Sequence, residues 1–138
     1  MGRLRGVRYV AARDEGFSIV EVLVVVTIIS LLASISIPIF FHQREKAWQA
    51  ATESALKNAS TAMNSAAITR GGSYVGLNIP LLVAEEGLKY EQTSIDLLVA
   101  SANQANYCLS AEHNSWQRTM YWDSADSVPD FEDCTSKY

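Results

Sequence analysis

The sequence lacks the signatures of most catalytic folds. No glycine-rich phosphate loop, dinucleotide fingerprint, H-E-x-x-H pair or nucleophile elbow occurs along its 138 residues. Histidine and cysteine are scarce, and neither His42 nor His113 stands at the local spacing that would make a zinc site with Cys108 and Cys134. Basic residues are few outside the first sixteen positions. Arg3, Arg5, Arg8 and Arg13 sit there against Asp14 and Glu15, so the remainder is more acidic than the overall net charge of −4. An acidic body is a poor general binder of nucleic acid, because phosphates need neutralising cations. Between residues 17 and 41 charge is missing altogether, Glu21 excepted, and from Phe41 to Arg70 there is neither glycine nor proline.

What is present is sharply divided. With 49% hydrophobic and 19% charged residues the chain is not a disordered tail, and its length suits one small domain plus an anchor. The anchor is FSIVEVLVVVTIISLLASISIPIFF, Phe17 to Phe41. As a helix it would rise about 37 Å, against a bilayer core of about 30 Å. The arginines before it predict a cytoplasmic N-terminus and an exported C-terminal head. An ordinary signal peptide, cut after Ser34-Ile35-Ser36, is the rival reading. Against it, the apolar stretch is long, and it carries Glu21 near its start. A carboxylate in such a segment is costly, about 2.5–3.5 kcal/mol at mid-membrane and less near the interface, so it is a functional suspect whose partner should be sought.

These residues resemble a known family. Gly16-Phe17-Ser18-Ile19-Val20-Glu21, followed by a long apolar run, is similar to the prepilin motif of type IV pilins and type II secretion pseudopilins. The resemblance implies that a prepilin peptidase cuts between Gly16 and Phe17 on the cytoplasmic side and that the new amine of Phe17 is methylated. It also implies a partner for Glu21, the terminal amine of a neighbouring subunit. Residues 17 and 21 lie about 6 Å apart along a helix, so axially displaced copies can bring carboxylate and amine together. Pairing would relieve two poorly solvated charges at once. Pro38 stands where family members often carry a proline that lets the helix stretch or unwind in the filament, and Ser34 and Ser36 are close enough to satisfy freed backbone groups. A simple kink or the membrane exit is the plainer reading of Pro38.

The expected organisation is a leader over 1–16, a hydrophobic transmembrane and assembly helix over 17–41, an amphipathic helix over 42–72, and a loop, antiparallel sheet and C-terminal disulfide loop over 73–138. Trp48, Thr52, Ala55, Ala59, Ala62, Met63 and Ala66 recur at helical spacing and make a modestly apolar face of small residues suited to packing on a sheet. Gly71-Gly72 ends that helix. Ser73 to Asn78 reads as a polar loop, and Pro80 to Gly87 as a short helix. Ser94–Ala100, Asn106–Glu112 and Arg118–Trp122 read as strands, with a turn at His113-Asn114-Ser115. The fold class is α+β, a long N-terminal helix on a small antiparallel sheet, which also matches the family's subunit.

Two cysteines in a small exported head suggest a Cys108–Cys134 disulfide that ties the tail to the middle strand; two free buried thiols are the alternative. Cys108 with His113 could instead suggest a thiol protease, but the second cysteine and the exported location favour the bridge. Tyr107, Trp116, Tyr121, Trp122, Phe131 and Tyr138 read first as sheet core and subunit contacts, and second as an adhesion surface. Asp123, Asp126 and Asp130, with Glu132 and Asp133, read as a solvated loop, with calcium binding as a weaker alternative, since no EF-hand pattern is present. The resemblance implies a structural subunit of a homo-oligomeric filament, without cofactor or catalysis. It would wait in the cell membrane as a single-pass precursor and be driven outward into a pilus by an inner-membrane platform and its ATPase. A minor pilin or secretion pseudopilin is the near alternative. A membrane-anchored binding module is the distant one, and an anchored hydrolase the weakest.

Overall fold

The computed structural model describes residues 16–138, so the expected leader, apart from Gly16, lies outside the described residues. Helix α1 (Ile19–Thr69) is followed by α2 (Ile79–Glu85) and by strands β1 (Ile95–Ala102), β2 (Tyr107–His113), β3 (Thr119–Asp123) and β4 (Pro129–Asp130). The architecture is α+β, with one four-stranded antiparallel sheet in the order β1-β2-β3-β4. Two compact units divide the chain at residues 39 and 40.

The first unit contains the apolar part of α1 as far as Ile39; Phe40 and Phe41 belong to the second. From Phe17 to Phe41 every large apolar side chain is exposed, the least of them Val26 at 47%. The few hydroxyls there donate to carbonyls of their own helix: Thr27 to Leu23 at 2.7 Å, Ser30 to Val26 at 2.7 Å, Ser34 to Leu31 at 2.7 Å and Ser36 to Leu32 at 2.9 Å. Such back-bonding hides polar groups that apolar surroundings could not satisfy. The serines do not, however, serve the carbonyl that Pro38 frees. That group belongs to Ser34, and the hydroxyls of Ser34 and Ser36 reach Leu31 and Leu32 instead. Pro38 lies inside the continuous helix.

The second unit is a packed head. The buried positions of α1 include Thr52, Ala55, Ala59, Ala62, Met63 and Ala66 of the face expected from the sequence; Leu56, Ser60 and Ala67 widen it, and Trp48 is only half-buried. Period-two alternation in β2 aims Tyr107, Leu109, Ala111 and His113 at this helix and Cys108, Ser110 and Glu112 at the opposite face. Antiparallel register brings Met120 and Trp122 beside Ala111 and Leu109, and Leu97 beside Ala111, completing the core. The helix ends where Gly71 and Gly72 take positive φ, 68° and 86°, which lets the Gly72 N–H return to the Ala67 carbonyl at 2.8 Å. Asn78 caps α2 by accepting the Leu81 N–H at 3.0 Å, with Pro80 in the first turn.

The three expected strands are found with ends shifted by one or two residues; His113 closes β2 rather than opening the turn. A fourth strand, Pro129–Asp130, was not expected. It is only two residues long, begins with proline and sits at the sheet edge against Trp122 and Tyr121, so propensity does not reveal it.

Tyr107 fastens sheet to helix. Its ring packs at a tilt of 55° against Tyr74, centroids 4.7 Å apart, and its hydroxyl reaches the Ser60 carbonyl and Asn64 Oδ1, both at 3.3 Å. Tyr74 donates to the same Asn64 oxygen at 3.0 Å. Burial first, then Tyr74, pushes the Tyr107 hydroxyl up to about 12, against the pull of these hydrogen bonds. A raised pKa means that the folded head holds its proton where the unfolded chain releases it. Stability is therefore intact below about pH 10 and falls as pH rises toward 12. Denaturant titrations from pH 9 upward should show this loss, and Tyr107→Phe should flatten it. An equally steep alkaline limb in that variant would assign the loss to another group.

Candidate assembly site on the N-terminal helix

Gly16, Phe17 and Ser18 precede the first helical residue, and Phe17 is 85% exposed. The start of α1 is closed by a reciprocal pair of hydrogen bonds. The Val20 N–H donates to Ser18 Oγ at 3.3 Å, and the Ser18 N–H donates to Glu21 Oε2 at 3.3 Å. This is a variant of the capping box: the serine before the helix accepts from the second helical N–H, and the glutamate three residues on reaches back to the serine N–H. Such a cap contributes about 1 kcal/mol and places the carboxylate at the positive end of the helix dipole. The sequence reading named Glu21 for its charge and missed this role, although Ser18-Ile19-Val20-Glu21 is a readable S-x-x-E pattern.

Other named residues lie in the head. Cys108 on β2 and Cys134 in the tail are joined by a disulfide, with Cα atoms 5.7 Å apart and a sequence separation of 26. That removes Cys108 from any thiol chemistry with His113. His113 instead stacks on Trp48 at 5.7 Å and accepts the Ser115 N–H on Nδ1 at 3.1 Å. Of the aromatic set, Tyr107 and Trp122 are core residues. Trp116 packs edge-on against Phe131 at 5.6 Å, with Arg118 Cζ 4.3 Å from the Phe131 centroid.

The tail carboxylates do not converge. Among the described residues no three His, Cys, Asp or Glu side chains form a metal-ligand set. Asp123 is buried and engaged internally by Lys137 Nζ at 2.9 Å, the Ala125 N–H at 2.9 Å and the Tyr138 hydroxyl. Burial opposes its ionisation, but the hydrogen bonds from Tyr138, Ala125 and Lys137 together outweigh that and hold its carboxyl below the usual range. Asp130 accepts the Glu132 N–H at 2.8 Å and so caps its own turn. This Asp123 clasp on the last two residues was not legible in the sequence, because its partners are near in space only once β3 is formed.

An α+β head and an apolar helix long enough to cross a membrane, capped at Glu21, define a pilin-like fold. The prokaryotic N-terminal methylation motif matches residues 12–37, and the chain thus carries the signature of type IV pilins and pseudopilins. The matched stretch contains Gly16, Phe17 and Glu21. A search of curated proteins finds no match.

Proposed function

We propose that the protein is a structural subunit of a type IV pilus-like filament, cut after Gly16 and assembled through its N-terminal helix. One coincidence carries the reading: the methylation motif includes Gly16 to Glu21 and heads a helix whose large apolar side chains are exposed as far as Phe41. Each such side chain gains about 1.5–3 kcal/mol on leaving water, so this surface needs lipid or other helices around it. Lipid serves before assembly, and the helices of neighbouring copies serve afterwards. The chain begins as a single-pass cell-membrane precursor with its N-terminus in the cytoplasm and ends in an extracellular filament. Prepilin peptidase processes it, and a membrane platform with its ATPase drives it outward; the chain itself catalyses nothing.

Within the filament the Phe17 amine of one copy pairs with Glu21 of the next. Removing the leader creates that amine one turn before the carboxylate, and Glu21 already lies at the helix start. Pro38 supplies the point at which the helix can lengthen during packing. A secretion pseudopilin would use the same groups, and the location of the product separates the two. Shearing cells that produce the chain should release it as fibres. Fibres absent from the surface, together with a secretion defect on deletion, would assign it to a pseudopilus. A cut or uncut monomer that stays in the membrane and never polymerises would contradict the filament reading.

A further inference from the structure

Past the last residue of the apolar run, Phe41, the first charged residue is Arg44, and its setting is unusual. Positions 40, 44 and 48 lie four apart on one face of α1. Arg44 Cζ sits 5.8 Å from the Phe40 ring centroid and 4.9 Å from that of Trp48. Trp48 in turn stacks on His113, a buried residue at the end of β2. The guanidinium is thus held by a ladder of rings rooted in the sheet. Phe40 and Phe41 meet edge to face at 6.1 Å and are both 58% exposed.

Arg44 is itself exposed, and among the described residues it takes part in neither of the two ion pairs, Arg70–Glu85 and Lys137–Asp123. Neighbouring rings satisfy its charge through their π faces but accept none of its N–H groups conventionally. A planar guanidinium with free N–H groups is the side chain best matched to a phosphate, which it can bind through two parallel hydrogen bonds. Position selects the source of that phosphate. Arg44 follows Phe41 by three residues, about one helical turn, where a membrane-spanning segment meets the headgroups. A tryptophan beside a cation at that level matches the aromatic belts of membrane interfaces.

We infer that Arg44, positioned by Phe40 and Trp48, binds a phospholipid headgroup phosphate and holds the head on the bilayer before assembly. The inference rests on the proposed membrane anchoring of Phe17–Phe41 and adds to it a lipid contact that must be broken when the subunit leaves the membrane.

The test uses the full chain, with isotopically labelled arginine guanidinium groups, in bilayers of phosphatidylethanolamine and phosphatidylglycerol. Solid-state magnetic resonance reads phosphorus-induced dephasing of the arginine signal. Dephasing is expected, and Arg44→Gln should remove one arginine's share of it. The same protein in a phosphorus-free detergent with added inorganic phosphate should show none at Arg44. Equal dephasing there would mean a general anion site and overturn the assignment to lipid. Carbonate washing keeps the two failures apart. Protein that resists the wash yet shows no Arg44 signal overturns the lipid contact alone, whereas protein that washes off overturns both the contact and the anchoring.

Discussion

Glu21→Ala is expected to leave the chain in the membrane and to reduce filament yield at least tenfold. On the proposed pairing, removing one partner of a poorly solvated ion pair leaves the other charge, the Phe17 amine, without compensation, a loss of about 3–5 kcal/mol per contact. Repeated along a filament, even part of that loss is prohibitive. The capping box adds a second role that must be separated from the first. Glu21 also accepts the Ser18 N–H at 3.3 Å, worth about 1 kcal/mol to the helix start. Glu21→Gln keeps an acceptor for that N–H and removes only the charge. It should fail nearly as badly as the alanine variant. Full assembly of Glu21→Gln would show that the cap, and not the charge pair, is what assembly needs.

The second large effect is on the head. Replacing both Cys108 and Cys134 by alanine should cost about 3 kcal/mol, since the bridge closes a loop of 26 residues. In a head of this size that lowers the melting temperature by more than about 10 °C. Thiol reductant should lower the melting point of the parent protein similarly and leave the double variant unchanged. Both sulfurs are buried, so the loss should be felt in β2 and the tail together. Peptide mapping without reductant should recover the linked pair; two alkylatable thiols in exported protein would contradict the bridge.

Legibility followed the range of the interactions involved. Periodicity located the buried face of α1, because Ala55, Ala59, Ala62 and Ala66 repeat at helical spacing regardless of what they touch. Alternation located β2 for a similar reason, with Tyr107, Leu109 and Ala111 on one face. Local chemistry also marked the stop at Gly71-Gly72 and the start of α2 near Pro80. What escaped was built from distant partners. Strand β4 exists because Pro129 and Asp130 meet Trp122 and Tyr121. The clasp at Asp123 needs Tyr138, fifteen residues away. The ladder from Arg44 through Trp48 to His113 joins α1 to the end of β2, and no local pattern announces it. The calcium alternative drew on composition alone, and composition does not say that Asp123 is occupied by Lys137. At the candidate assembly site the motif from Gly16 to Glu21 was readable in full, but charge drew attention to Glu21 and obscured its cap with Ser18.

The most direct test of the account is the intact mass and N-terminal sequence of the protein made in its native host. The account predicts a chain that starts at N-methylated Phe17, with the long apolar helix retained. A start near Ile37 would mean that the apolar segment is a discarded signal peptide, and a chain that keeps its leader would mean an anchored protein outside the filament pathway. Either result would contradict it.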